Sequence, residues 1–273
     1  MAKRIFVLGF ALAGLAVQAH AAEQYPSINF SFDGSLPLQY ETNPTRSETK
    51  KQPDSIFSPY FRLSAYGDLR PDISYSFYAA TSVDRYLQEQ DNTGSTIAFG
   101  GQVTKKWGPL QLGAVYDRNY GYDQDYRTLN SINNDFGVFL RYHYSNAAAD
   151  FRIRPGIAIT ARLDEFFTLQ RNLYNFKIDF EKKLLDRWWL ILTPRVRFYD
   201  YSDTQAGRQD LIASISTGIK YEINQDMNFT TTIGYESRRS NTPDKNYKNL
   251  FVGASLDFSF TLPGSDKKSQ FLR

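Results

Sequence analysis

Between residues 28 and 260 the chain returns repeatedly to one pattern: every second side chain is apolar, and the rows so formed contain no Asp, Glu, Lys or Arg. Residues 250–260 are the clearest case. Leu250, Val252, Ala254, Leu256, Phe258 and Phe260 share one face, while Gly253, Ser255, Asp257 and Ser259 share the other. Phe251 is the lone exception on the polar face. Period two is the repeat of an extended strand whose faces meet different surroundings. A face in water tolerates charge freely, whereas a Lys or Arg at mid-depth in a bilayer costs roughly 2–4 kcal/mol. A soluble sandwich or propeller would bury one face and close with a mixed, charged surface. The charge-free rows therefore predict strands that turn one face to hydrocarbon.

Twelve such rows are present, beginning at Ile28, Phe57, Ile73, Ile97, Leu110, Phe136, Phe151, Tyr174, Trp188, Leu211, Phe229 and Leu250. Short connections near residues 67–72, 105–109, 145–150, 182–187 and 224–227 alternate with longer polar ones near 41–55, 84–95, 118–134, 164–171, 200–209 and 237–248. Strict alternation puts both chain ends on the side of the short turns. An open sheet edge in lipid would leave backbone N–H and C=O groups unpaired at several kcal/mol each, so the strands must close on themselves. The expected fold is all-β: a transmembrane, up-and-down antiparallel β-barrel of twelve strands. Bacterial barrels have even strand counts, short periplasmic turns and long extracellular loops, which makes both termini periplasmic.

The last row also resembles the closing strand of Gram-negative outer-membrane β-barrels, whose assembly signal places a Gly before alternating apolar or aromatic residues, here Gly253, Leu256 and Phe258. That resemblance implies a place in the bacterial outer membrane, with the barrel-assembly machinery and the membrane's lipid and lipopolysaccharide as partners. The start of the chain agrees. Lys3 and Arg4, an apolar run over residues 5–17 and Ala19-His20-Ala21 make a secretory signal with a small-x-small cleavage site. The expected division is a signal peptide at 1–21, the barrel at 22–262 and a C-terminal periplasmic tail at 263–273. The tail has no alternation, and the sequence leaves open whether it reaches into the periplasm or folds into the pore. After residue 21 no run approaches the ~18–20 apolar residues of a spanning helix.

Composition narrows the chemistry. Cysteine is absent, which removes disulfides, thiolate zinc sites and thiol nucleophiles. Losing Lys3 and Arg4 lowers the formal charge of +3 by two to +1, too little for a nucleic-acid-binding field. Aromatic residues make up 16% of a chain whose mean hydropathy is only -0.48, as alternate greasiness requires. The acidic stretch 117–125 carries oxygen donors but lacks the spacing and bidentate Glu of an EF-hand, and reads as a solvated loop. No cofactor is expected. Beyond the signal the only histidine is His143, which by parity points inward. None of the Ser/His signatures of outer-membrane phospholipase or lipid A deacylase barrels is present. The chain reads as no enzyme, an outer-membrane hydrolase being the least supported alternative.

Inward positions carry the informative charge. Strands six to nine aim Arg141, Arg152, Arg154, Arg162, Lys177, Arg195 and Arg197 at the lumen, with Asp150, Asp179 and Glu181 as acids on the same wall. Asp33, Asp84, Asp117, Glu222, Glu236 and Asp257 lie on other strands. In charge placement and strand number this resembles the arginine-rich lumens of small twelve-stranded channels for acidic oligosaccharides. The reading is a monomeric, narrow, porin-like channel for small, anion-favoured solutes. The alternative is a non-conducting barrel, plugged by pairing of the same charges, that presents loops or anchors a periplasmic or secretion partner. Trp107, Trp188 and Trp189 stand at short-turn ends and are expected in the periplasmic aromatic girdle, with Tyr40 and Tyr116 at the outer one. Pro59, Pro155 and Pro194 fall in outward rows, where each should mark a bulge or local irregularity of pairing.

Overall fold

The computed structural model describes residues 28–46, 52–123, 126–164, 170–201 and 207–262. The expected signal at 1–21 and tail at 263–273 lie outside the described residues. Twelve strands run up and down. They are β1 (Asn29–Glu41), β2 in two pieces (Asp54–Phe57 and Tyr60–Arg70), β3 (Ile73–Tyr86), β4 (Gly94–Trp107), β5 (Leu110–Asp123) and β6 (Leu129–Tyr142, continued by Tyr144–Asn146). The second half comprises β7 (Phe151–Asp164), β8 (Arg171–Leu185), β9 (Trp188–Tyr201), β10 (Arg208–Glu222), β11 (Met227–Ser240) and β12 (Tyr247–Thr261). Each pairs antiparallel with the next, and β12 returns to β1 with Phe32 opposite Phe260 and Leu38 opposite Ala254. The ring is closed. Five short connections alternate with six longer ones, and both ends of the ring chain lie with the short turns.

The rows face as their composition requires. Phe77, Val138, Ile157, Ile215 and Val252 are each half or more exposed, while Ser64, Ser74, Ser76, Thr104, Asn133, Glu236 and Asn249 are buried. This inverts a soluble protein: the greasy side chains are outside and the polar ones inside. No helix among the described residues is long and apolar enough to cross a membrane, so any crossing is by strands.

The strands run further toward the long loops than the apolar rows do. The expected loop at 118–134 is largely a hairpin, with Arg118 opposite Asn134 and Tyr120 opposite Ile132. Past the hydrocarbon a strand needs its backbone ladder but no apolar face, so polar Tyr, Asn and Asp positions continue it. The acidic stretch from residue 117 is thus strand up to Asp123 rather than a loop; residues 124–125 lie outside the described residues.

Phe251, the exception in the last row, has a partner that explains it. It stands opposite Gly234, and its ring occupies the space that a Cβ at Gly234 would take. Phe139 covers Gly113 in the same way, and on the outer face Phe258 covers Gly34. A cross-strand ring laid over a glycine restores the packing the missing side chain loses. At the seam where the ring closes, Phe258, Phe32 and Phe61 cluster with centroids 5.8, 6.2 and 6.3 Å apart.

The prolines interrupt the ladder without shifting it. Pairing of β1 with β2 stops at Ser35 opposite Tyr60 and resumes at Leu38 opposite Phe57, across Pro37 and Pro59. That of β6 with β7 skips from Arg141 opposite Gly156 to Tyr144 opposite Ile153, across Pro155. That of β8 with β9 skips from Lys177 opposite Arg195 to Phe180 opposite Leu192, across Pro194. A proline has no N–H to give, yet register is held on both sides by the ordinary pairs. The register shifts themselves fall near strand ends, at Asp68/Arg70, Gly121/Tyr122 and Lys183/Leu185. Because Ile157 faces outward in mid-strand, Ile157→Arg should cost roughly 2–4 kcal/mol of folding stability in urea titrations of vesicle-inserted protein. Ser216→Arg, on the lumen side of β10, should cost far less.

Candidate functional site: the lumen and its basic wall

Period two sends alternate residues of every strand inward, and the registers join them into rows across the wall. Nearest the short turns, Glu181 on β8 receives Arg152 (3.7 Å) and Arg154 (2.7 Å) from β7 and Lys220 (3.6 Å) from β10. Three cations share one carboxylate. Beneath them Trp189 is only 7% exposed, with the Arg152 guanidinium 4.6 Å and the Lys220 ammonium 5.3 Å from its ring. Trp189 therefore does not belong to a lipid-facing girdle. It is one residue out of phase with Trp188, so the strand's alternation turns it into the lumen. Trp188 and Trp107 are outward and nearly half exposed at the short-turn end, and Trp188 packs on Tyr221 at 4.7 Å.

One row further in, Gln111, Arg141, Gly156, Lys177, Arg195 and Ser214 stand opposite one another across six adjacent strands. Lys177 bonds Asp179 at 2.9 Å, and Thr193 donates to the same carboxylate at 3.2 Å. Arg195 donates to the neutral Asn175 oxygen at 2.6 Å. Arg141 lies over the Phe139 ring at 4.2 Å. Neither Arg195 nor Arg141 has an ion-pair partner among the described residues. This wall borders a cavity of about 340 Å³ open to the lumen, with Lys106, Arg141, Arg154 and Lys177 as its cations and Asp179 as its one carboxylate. His143, at the break in β6, lines it too, and its Nε2 is buried without a hydrogen-bond partner.

Toward the long loops the charges are paired. Arg162 grips Asp135 through two bonds of 2.8 and 2.6 Å. Asp210, 1% exposed, is held by Arg208 (2.7 Å) and Arg238 (2.6 Å). Glu236 takes both Arg197 and the Tyr247 hydroxyl. On strands away from the basic wall, acids are supported by hydroxyls: Asp33 accepts from Ser31 and Ser259, Asp257 from Ser35 and Ser255, and Asp117 from Tyr78. Arg62 stands opposite Asp33 and lies 3.9 Å over the Tyr78 ring.

Of the seven cations expected in the lumen, five are tied to carboxylates (Arg152, Arg154, Arg162, Lys177 and Arg197) and two, Arg141 and Arg195, are not. Asp179 and Glu181 stand among them as expected. Asp150 does not, being an exposed turn residue. The clean division into a basic wall and acids elsewhere is thus corrected: the separation survives only in the short-turn half. The sequence reading passed over Asp135, Asp210, Arg208, Arg238, Lys106 and Lys220. Lys220 lies inside its row, between Ile219 and Tyr221; the others lie at or beyond the ends of the apolar rows, where the alternation continues and carrying parity on to the next turn finds them.

A family model described as "Putative beta-barrel porin 2" matches residues 171–260, from β8 to the end of β12. No curated protein sequence matches the chain. Among solved structures, an outer membrane channel from Pseudomonas putida F1 superposes with a TM-score of 0.55 at 10% identity, over 88% of this chain and 100% of that one. An anion-selective porin from Comamonas acidovorans gives a TM-score of 0.47 at 7% identity, over 86% and 100%. The KdgM porin gives 0.45 at 10%, over 83% and 99%. The first likeness establishes the shared fold. With the closed even-numbered ring and the charge-free outer belt, it makes the chain an outer-membrane β-barrel of porin-like architecture. Within it, Asp135→Asn should cost about 1–3 kcal/mol by leaving Arg162 half-buried and unpaired. A double-mutant cycle with Arg162→Gln checks this, since the double variant should recover part of the loss.

Proposed function

We propose that this porin-like outer-membrane β-barrel is a monomeric, narrow diffusion channel that passes small solutes and favours anions. The observation that carries the reading is the charge excess on one wall of the lumen toward the short turns. There Arg141, Arg152, Arg154, Lys177, Arg195 and Lys220 stand on the adjacent strands β6 to β10, and the carboxylates bonded to them among the described residues are two, Asp179 and Glu181, while Asp33 and Asp257 lie on the far strands β1 and β12. In a water-filled constriction with low-dielectric walls, uncompensated charge of one sign raises the local concentration of the other and selects ions. The open cavity beside these groups leaves room for a solute to meet them.

A hydrolase is disfavoured by geometry as well as by motif. His143 Nε2 and Ser74 Oγ line the same cavity, yet both are buried without a hydrogen bond, so neither engages the other. A nucleophile and its base need hydrogen-bond reach. A second reading, a plugged barrel that anchors a partner, draws on the paired charges toward the long loops: Arg162–Asp135, Arg208–Asp210–Arg238 and Arg197–Glu236. Planar-bilayer recording separates the two. The channel reading predicts discrete conductance steps and a reversal potential in a KCl gradient displaced toward chloride. Replacing Arg141, Lys177 and Arg195 together by Gln should move that potential to or past zero. Folded barrels that never conduct would support the anchor instead.

A further inference from the structure

We propose that the notch at Gly156 is a discrete binding subsite for a small oxyanion, a phosphate or a carboxylate, seated between Arg141 and Lys177. The proposal deepens the anion-preference reading and rests on it. Five observations build the site. Gly156 stands directly between Arg141 on β6 and Lys177 on β8, opposite both. With strands about 4.8 Å apart, the two cationic side chains spring from backbones about 10 Å apart, a gap that an oxyanion fills. Gly156 keeps that gap clear, since a Cβ there would come within 3.3 Å of Arg141 Cγ.

Of the two cations flanking the notch, Arg141 is the one without a carboxylate among the described residues, and it is held ready. Its guanidinium rests 4.2 Å over Phe139, whose ring is seated on Gly113. A ring contact uses none of the guanidinium's N–H groups as a hydrogen bond to oxygen, and its N–H fork matches two oxygens of one anion. Around the notch stand neutral groups able to complete the shell. His143 Nε2 and Ser74 Oγ are buried without partners, and Asn175, whose oxygen is taken by Arg195, lines the same cavity. The single carboxylate of the cavity, Asp179, is already bonded by Lys177 and Thr193. A spherical anion uses one N–H at a time. An oxyanion uses the pair, so the site should discriminate beyond charge.

The test is binding, which does not require conduction. Inorganic phosphate titrated into the purified barrel in detergent, at fixed ionic strength, should show saturable broadening of its ³¹P resonance that chloride displaces only weakly. Arg141→Gln and Gly156→Val should each weaken binding about tenfold or more, whereas Lys245→Gln, exposed in the long loop between β11 and β12, should leave it unchanged. If Gly156→Val does not fold, as judged by heat-modifiable migration, Arg141→Gln carries the comparison. Acetate followed through its own line width is the second arm: tighter binding of phosphate assigns a dianion, and tighter binding of acetate a carboxylate ligand. Absence of saturable broadening with both anions, or equal binding by Arg141→Gln, overturns the subsite. A barrel that passes anion-selective current yet binds neither loses the subsite and keeps the channel. A barrel that binds but never conducts loses the channel and keeps the subsite.

Discussion

The constraint on which the structure depends is that no backbone polar group may be left unpaired in hydrocarbon. Each orphaned N–H or C=O costs several kcal/mol there, so a sheet in a membrane has to be a ring. The decisive contact is therefore β12 against β1, more than two hundred residues apart in the chain, paired from Ser31 opposite Thr261 to Glu41 opposite Phe251. The seam is reinforced on its outer face by the rings of Phe32, Phe61 and Phe258, with Phe258 filling the space over Gly34. Where prolines remove ladder donors, the register is unchanged on either side, so closure survives gaps but would not survive slippage. One residue of slip would turn an apolar row into the lumen and a charged row into lipid.

Closure dictates the interior as much as the wall. Once alternate residues are committed to lipid, the others must share a wet lumen, and inward charge there is tolerated only with water or a partner. The two halves of this lumen answer differently. Toward the long loops, guanidinium groups are bonded directly to carboxylates at Asp135, Asp210 and Glu236. Toward the short turns, on the wall from β6 to β10, three cations converge on Glu181 while Arg141 settles on an aromatic ring instead. The first half is suited to holding shape, and the second to meeting an anion. The channel proposal follows from that imbalance rather than from the total charge, which is only +3 over the whole chain.

Much of this was legible in the chain because lipid is an unforgiving solvent. The charge-free rows gave strand number, facing and connection order directly, and Phe77, Ile157, Phe176 and Ile215 stand outward as their parity required. What escaped was whatever lipid does not police. Trp189 was grouped with Trp107 and Trp188 by residue type, although its odd place in the row already turned it inward. The strands' extension through residues 118–134 was hidden because beyond the membrane the ladder persists while the apolar signal stops. The pairing of Arg162 with Asp135 and of Arg238 with Asp210 depends on register between neighbouring strands, which a single row cannot reveal. Phe251 looked like an error in the pattern until its cross-strand glycine was known.

The central claim is that one face of each strand touches hydrocarbon and the other water, around a closed ring. The chain has no cysteine, so single Cys variants can carry a nitroxide at any chosen position. The most direct test is the accessibility of labels at consecutive residues 174 to 180 of β8 in lipid, to oxygen and to a water-soluble nickel chelate. Oxygen should dominate at 174, 176, 178 and 180 and the chelate at 175, 177 and 179. Accessibility without a period of two, or with its phase reversed, would contradict the account.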